Sequence, residues 1–271
     1  MAPLIFAALL TMTGLLLTPS GARAEDTPPG PIGTPEPIHI FATDWGLTLK
    51  SDGTGFYNDL ARLILTPDGN AADYAVDYEI LPYRRAKRHF FEEAGTCLYP
   101  STTEYLATTG DIQNRVNFID SPSTLTNRIH IFAAHGHTPP KSRDDLNGKR
   151  IAYAMGSRLP YALEGPTALF IAVAYEVDKA EMLLSGRVDL ITAAMPDAKF
   201  VFEKLGVETA PYDPDLVITK AGVGVVCHNT PENVAFISDL TNRLAELKAS
   251  GALAAFLRAQ GLEPEDYIDG R

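Results

Sequence analysis

The chain has 271 residues, 45% hydrophobic and 21% charged, an ordinary globular composition that excludes a collagen-like, coiled-coil or wholly disordered chain. Acidic residues outnumber basic ones, 34 to 23, for a net charge of −11. The densest basic stretch, Arg84, Arg85, Lys87 and Arg88, is too short to track a phosphate backbone, so no nucleic-acid partner is expected.

An apolar run over residues 4–17, followed by Ala22-Arg23-Ala24, predicts a secretory leader over residues 1–24, cleaved after Ala24. The run is shorter than the roughly 20 residues that a membrane span needs. No Cys follows it to take a lipid, and the usual positive charge near Met1 is missing. Residues 25–37 hold five prolines and two glycines and predict a tether without a core of its own.

A strand is predicted over 38–42, ending at Thr43-Asp44-Trp45, and a helix over 56–65, with Phe56, Leu60, Leu63 and Ile64 on one face. A strand over 74–81 stops at Pro82, a helix over 84–93 closes at Gly95, and a strand over 96–99 stops at Pro100. This β-α-β-α-β order implies a parallel sheet, whose ligands sit beyond the carboxyl ends of the strands. Strands over 129–133 and 148–154 follow, the second running into Met155-Gly156-Ser157. A helix ends over 179–184, and strands are predicted over 188–192 and 223–227. Thr230-Pro231 reads as an N-cap with proline at the first helical position. The closing segment is amphipathic through Leu240, Leu244, Leu247, Leu253, Phe256 and Leu257. No internal repeat and no later long apolar stretch is visible, so the rest is expected to be soluble.

Five segments in this order resemble the periplasmic solute-binding proteins of extracellular family 3, the type associated with polar amino acid transport. They are Gly55-Phe56-Tyr57-Asn58-Asp59-Leu60, Phe118-Ile119-Asp120-Ser121-Pro122, Asp145-Leu146-Asn147-Gly148-Lys149-Arg150-Ile151 with Gly156-Ser157, Leu184-Ser185-Gly186-Arg187-Val188-Asp189, and Leu247-Lys248-Ala249-Ser250-Gly251. The resemblance implies an α/β, two-lobed type II periplasmic-binding-protein fold with two hinge crossovers. It places lobe 1 over 38–121 and 224–271, lobe 2 over about 129–218, and the crossovers near 122–128 and 219–223. Cys97 would lie on the third strand and Cys227 on the strand returning antiparallel beside it. The resemblance, together with an even cysteine count in an oxidising compartment, implies a disulfide. The alternative is two buried thiols.

Family members that bind α-amino acids use an Arg for the carboxylate and an Asp for the ammonium. At the matching positions this chain has Ile112 and Ala194, with Arg115 and Asp197 nearby. Nothing apolar replaces a guanidinium fork, so a plain amino acid ligand is disfavoured. The remaining ligand-binding candidates sit at strand ends and helix starts: Asp44, Trp45, Arg85, Ser101, Thr102, Thr103, Ser157 and Arg158, with Arg115. Each has a plain structural alternative. Trp45 can cover a ligand or cap the core, and Arg85 can meet a ligand or solvent. The Ser101–Thr103 hydroxyls can mark a turn, and Gly156-Ser157-Arg158 can be an anion-binding helix start or a simple cap.

His130, His135 and His137 lack the further ligands that a closed metal site needs. No P-loop, G-x-G-x-x-G, G-x-S-x-G or H-E-x-x-H is present, so neither metal nor cofactor is expected. The leading reading is a monomeric, non-enzymatic carrier in the periplasm. It captures a small polar or anionic molecule and hands it to the membrane permease of an ABC transporter. The alternatives are a dehydratase-like enzyme on the same fold, with Glu104 as its acid, or an accessory or sensor partner of a periplasmic dehydrogenase.

Overall fold

The computed structural model describes residues 36–66 and 75–268. The predicted leader, most of the tether and Tyr74 lie outside the described residues.

The first half builds a parallel sheet. Strand β1 (Ile38–Asp44) leads to helix α1 (Phe56–Leu65), β2 (Val76–Pro82), α2 (Tyr83–Glu92) and β3 (Cys97–Ser101), with β1 between β2 and β3. Side chains alternate across β1. Ile38, Ile40 and Ala42 join the cluster around Leu60, Ile64, Phe236 and Leu240, while Phe41 joins Phe90, Leu98 and Leu106 on the opposite face. Full burial of Leu60 or Ile64 contributes about 1.5–3 kcal/mol each, which holds α1 against the sheet.

Pro100 does not stop β3 as the sequence suggests. The pairing register shifts between Leu98 and Ser101, and such an irregularity tolerates a residue that has no N–H to donate. Helix α3 (Thr103–Thr108) follows, capped by Thr102, whose hydroxyl accepts from the Tyr105 N–H. The short strand β4 (Phe118–Asp120) and the longer β5 (Leu125–Ala133) come next.

The second half repeats the layered plan. It runs β6 (Arg150–Ala154), α4 (Leu159–Ala162), β7 (Leu169–Val173), α5 (Glu176–Leu184), β8 (Leu190–Met195) and α6 (Asp197–Lys204). The strand predicted over 188–192 is shifted toward the C-terminus, because Val188 still belongs to the turn after α5. One of its clusters joins Phe132, Leu183, Ile191 and Phe202, and another joins Ile131, Ile151, Leu159 and Leu163.

Strand β9 (Thr219–His228) returns to the first sheet, followed by α7 (Pro231–Ala249) and α8 (Ala252–Ala259). The predicted cap forms, with Thr230 Oγ1 accepting from the Asn233 N–H. The strands run in the order β2-β1-β3-β9-β5-β8-β6-β7, with β4 also on β9. Strand β9 is therefore shared. Its Thr219–Val223 half pairs antiparallel with β5, and its Gly224–His228 half pairs with β3 and β4. The two crossover segments thus lie side by side. Gly222 marks how tightly they fit, because a Cβ there would come within 2.1 Å of Ser123 Oγ.

Cys97 and Cys227 stand directly opposite each other in the β3–β9 register and form a disulfide, with Cα atoms 3.9 Å apart. Both are fully buried.

Candidate functional site

A cavity of about 100 Å³ opens where the strand ends of both halves meet. Trp45 follows β1, Tyr83 follows β2 and Ser101 ends β3. Ala154 ends β6, Ser157 lies just beyond it, and Ala193 and Ala194 lie near the end of β8. The crossover strands supply its floor through Asn127, Ile129, Ala221 and Val223. Carboxyl ends of strands are where open α/β sheets place ligands, because neighbouring connections diverge there.

The first half contributes rings. Trp45 packs edge-on against Tyr57, with centroids 4.9 Å apart and planes at 85°. The hydroxyls of Tyr83, Tyr105 and Ser157 neighbour one another in turn. Burial above all raises both phenols above their ordinary range, so the rings face the cavity uncharged.

The second half contributes charges. Lys179 is 1% exposed, and its Nζ lies 2.8 Å from Glu176 Oε2 and donates to the Thr192 carbonyl at 2.5 Å. Asp197 opens α6 and is 3% exposed. Its Oδ1 accepts from Thr48 Oγ1 at 2.7 Å, and its Oδ2 accepts from the Tyr57 hydroxyl at 2.6 Å. Asn127 Nδ2 donates in turn to the Tyr57 oxygen at 2.6 Å. Burial pushes the Asp197 carboxyl up to about 6, with the Tyr57 and Thr48 hydrogen bonds pulling the other way. The Tyr57 hydroxyl is raised too, first by burial and then by the adjacent Asp197 charge.

Thr48 and Tyr57 belong to the first half and Asp197 to the second, so this cluster also ties the halves together. Arg158 Nη1 adds a hydrogen bond to the Gly110 carbonyl at 2.7 Å, with its guanidinium over Tyr161. Gly156, at φ 93°, brings its backbone so close that a Cβ would sit 2.5 Å from Arg84 Cγ. The two halves touch around the cavity rim.

Of the nine ligand-binding candidates named from the sequence, Trp45, Ser101 and Ser157 line the cavity, and the other six do not. Asp44 accepts from the Gly46 N–H and shapes its own turn. Arg85 and Arg115 are exposed. Thr102 caps α3, Thr103 bonds Asp120, and Arg158 spans the rim. Ala194 does line the cavity, whereas Ile112 is packed beside Leu106 and Phe90. Asp197, the nearest stand-in for an ammonium ligand, already has both oxygens engaged. Among the described residues, no arginine lines the cavity. His130 faces the Leu216 carbonyl and His135 the Glu208 carbonyl.

The sequence reading missed Tyr83, Tyr105, Asn127, Glu176 and Lys179. One signal was available: Lys179 sits four residues before Leu183 and next to Ala180, on the apolar stripe of α5, where a charge needs a partner.

No protein-family profile and no curated protein sequence matches the chain. Solved structures do. The ligand-binding core of GluR0 from Nostoc punctiforme, in complex with L-glutamate, superposes with a TM-score of 0.64 at 17% identity, covering 82% of this chain and 98% of that one. A histidine kinase sensor domain with similarity to periplasmic binding proteins gives 0.64 at 17%, covering 84% and 98%. The ancestral amino acid-binding protein AncCDT-1, a precursor of cyclohexadienyl dehydratase, gives 0.59 at 18%, covering 82% and 94%. These likenesses show the fold, which is the two-lobed α/β fold of periplasmic binding proteins.

Proposed function

We propose that this chain is an exported solute-binding protein that closes its two lobes, residues 38–121 with 224–271 and residues 129–218, on a small polar ligand. In this reading the leader is removed after Ala24, the protein works in the periplasm, and it hands its ligand to the permease of an ABC transporter. The observation that carries the proposal is the cavity itself. Its walls come from both lobes, and polar groups are placed among apolar ones, as a binding cleft requires. Trp45, Ser101 and Ser157 are the ligand contacts favoured by both the sequence and the geometry. An amino acid ABC transporter substrate-binding protein of the same fold, with a TM-score of 0.62 at 16% identity, is in keeping with the carrier role, as the histidine kinase sensor domain is with the sensor alternative. The dehydratase alternative rested on Glu104, which is exposed on α3 and outside the cavity.

The test is a metabolite screen by calorimetry and thermal shift, combined with X-ray scattering. A saturating solute should raise the melting temperature and reduce the scattering radius as the lobes close. Saturable binding with no effect on the radius, whether the free protein is open or closed, counts against hinge closure. Mass spectrometry of periplasmic protein should place the N-terminus at Glu25, and an intact Met1 there would overturn the export step.

A further inference from the structure

Resting on the solute-binding reading, we propose that the ligand is a small organic amine, bound as its cation and carrying no carboxylate. The balance of charges and hydrogen-bonding groups around the cavity carries this inference.

The cavity is lined by two carboxylates, Glu176 and Asp197, and by one ammonium, Lys179. The ammonium is committed, with Glu176 Oε2 on one side and the Thr192 carbonyl on the other. Among the described lining residues a ligand carboxylate would meet no free cation and two like charges, and an unpaired buried anion is among the costliest groups a protein can hold.

What the cavity has to spare is acceptors. The Tyr57 hydroxyl has one proton, which it gives to Asp197 Oδ2, so its oxygen must receive a hydrogen bond from the Asn127 amide. That fixes the amide's orientation and leaves Asn127 Oδ1 without a partner, on a side chain only 2% exposed that lines the cavity. A buried carbonyl left unpaired costs roughly 1–3 kcal/mol, so this atom is an acceptor in want of a donor. Among the described residues, Glu176 Oε1 accepts no hydrogen bond and the Ser101 hydroxyl makes none. Trp45, Tyr83 and Tyr105 add neutral ring faces, which attract an ammonium and not a carboxylate. Spare acceptors, ring faces and an excess negative charge all select the same partner.

The experiment uses the purified exported chain and matched probes in calorimetry: ethanolamine against glycolate, putrescine against succinate, and choline against its neutral isostere 3,3-dimethylbutanol. At least one amine should bind with a Kd below about 1 mM, while its acid or neutral counterpart shows no saturable heat. Glu176→Gln should weaken that binding by about tenfold or more, the scale of a lost charge-assisted bond. Because Glu176 also partners Lys179, Ser101→Ala is the second variant. It removes a hydroxyl with no protein partner, so it should weaken binding several-fold at an unchanged melting temperature. Binding of glycolate or succinate without the amines overturns the cation assignment and leaves the solute-binding reading standing. Silence from all six probes also overturns the assignment, and the broader metabolite screen then decides the solute-binding reading separately.

Discussion

The two lobes bring different chemistry to one cavity. The first supplies rings and a hydroxyl, Trp45, Tyr83, Tyr105 and Ser101, from a sheet cross-linked by Cys97–Cys227. The second supplies ionisable groups, Glu176, Lys179 and Asp197, from the first turns of α5 and α6. Carboxylates are favoured at helix N-termini, where the free N–H groups and the dipole offset part of their burial cost. The contrast separates two jobs. The cross-linked lobe lines the cavity with rings and a hydroxyl, and the other lobe carries its charges, one of which also bonds across to the first lobe.

The largest effect is expected from attacking the first lobe's cross-link. The disulfide joins positions 130 residues apart. Replacing both cysteines by alanine should lower the first lobe's unfolding free energy by about 4–5 kcal/mol in the chain-entropy account. Trp45, the only tryptophan, reports that lobe's transition in urea by fluorescence. Thiol titration of the denatured, unreduced wild type should find no free thiol, and two per chain would refute the bond.

The next effect belongs to the second lobe and is read through pH. The Asp197 carboxyl titrates at about 6 in the folded protein against an ordinary 3.8, with Glu176 pushing in the same direction as burial. A raised carboxyl contributes stability that is fully present below pH 3.8 and lost as the pH climbs through 6. That window is worth about 3 kcal/mol. Asp197→Asn should flatten this part of the stability–pH curve, and an unchanged curve would remove Asp197 from the account. Asp197→Ala at neutral pH strands the Thr48 and Tyr57 hydroxyls and should cost about 2 kcal/mol, with a larger scattering radius as the lobes part. Arg158→Ala gives the smallest change, about 0.5–1 kcal/mol, because its bond to Gly110 is exposed. An Arg158→Ala loss as large as that of Asp197→Ala would mean that the rim holds the lobes, and not the buried cluster.

Much of this architecture was legible from local pattern. Helix α1 follows its apolar spacing residue for residue, and Thr230-Pro231 starts α7 as capping chemistry requires. Strand β7 was not read, because Leu-Phe-Ile-Ala-Val is a run of five apolar residues with no alternation to separate strand from helix. The disulfide was legible through the family resemblance and the even cysteine count, not through local pattern, since it depends on a strand returning from 130 residues away. The cavity was half legible. Trp45, Ser101 and Ser157 follow strands and could be placed, whereas Asn127, Glu176 and Asp197 gain their roles only when one lobe meets the other.

The sharing of β9 bears on how such a chain can be rebuilt. The chain leaves the first sheet at Leu125 and comes back at Val223, and these two residues are register partners on adjacent antiparallel strands. To the first lobe, everything between them is one very long hairpin loop, and the entropy of closing a loop grows only slowly with its length. Exchange of the whole insert for a short turn is therefore geometrically permitted, and circular dichroism of such a truncated chain would show whether the remaining sheet folds. The wall that the first lobe gives the cavity and the lobe that faces it can in that sense be inherited, swapped or lost as separate cassettes.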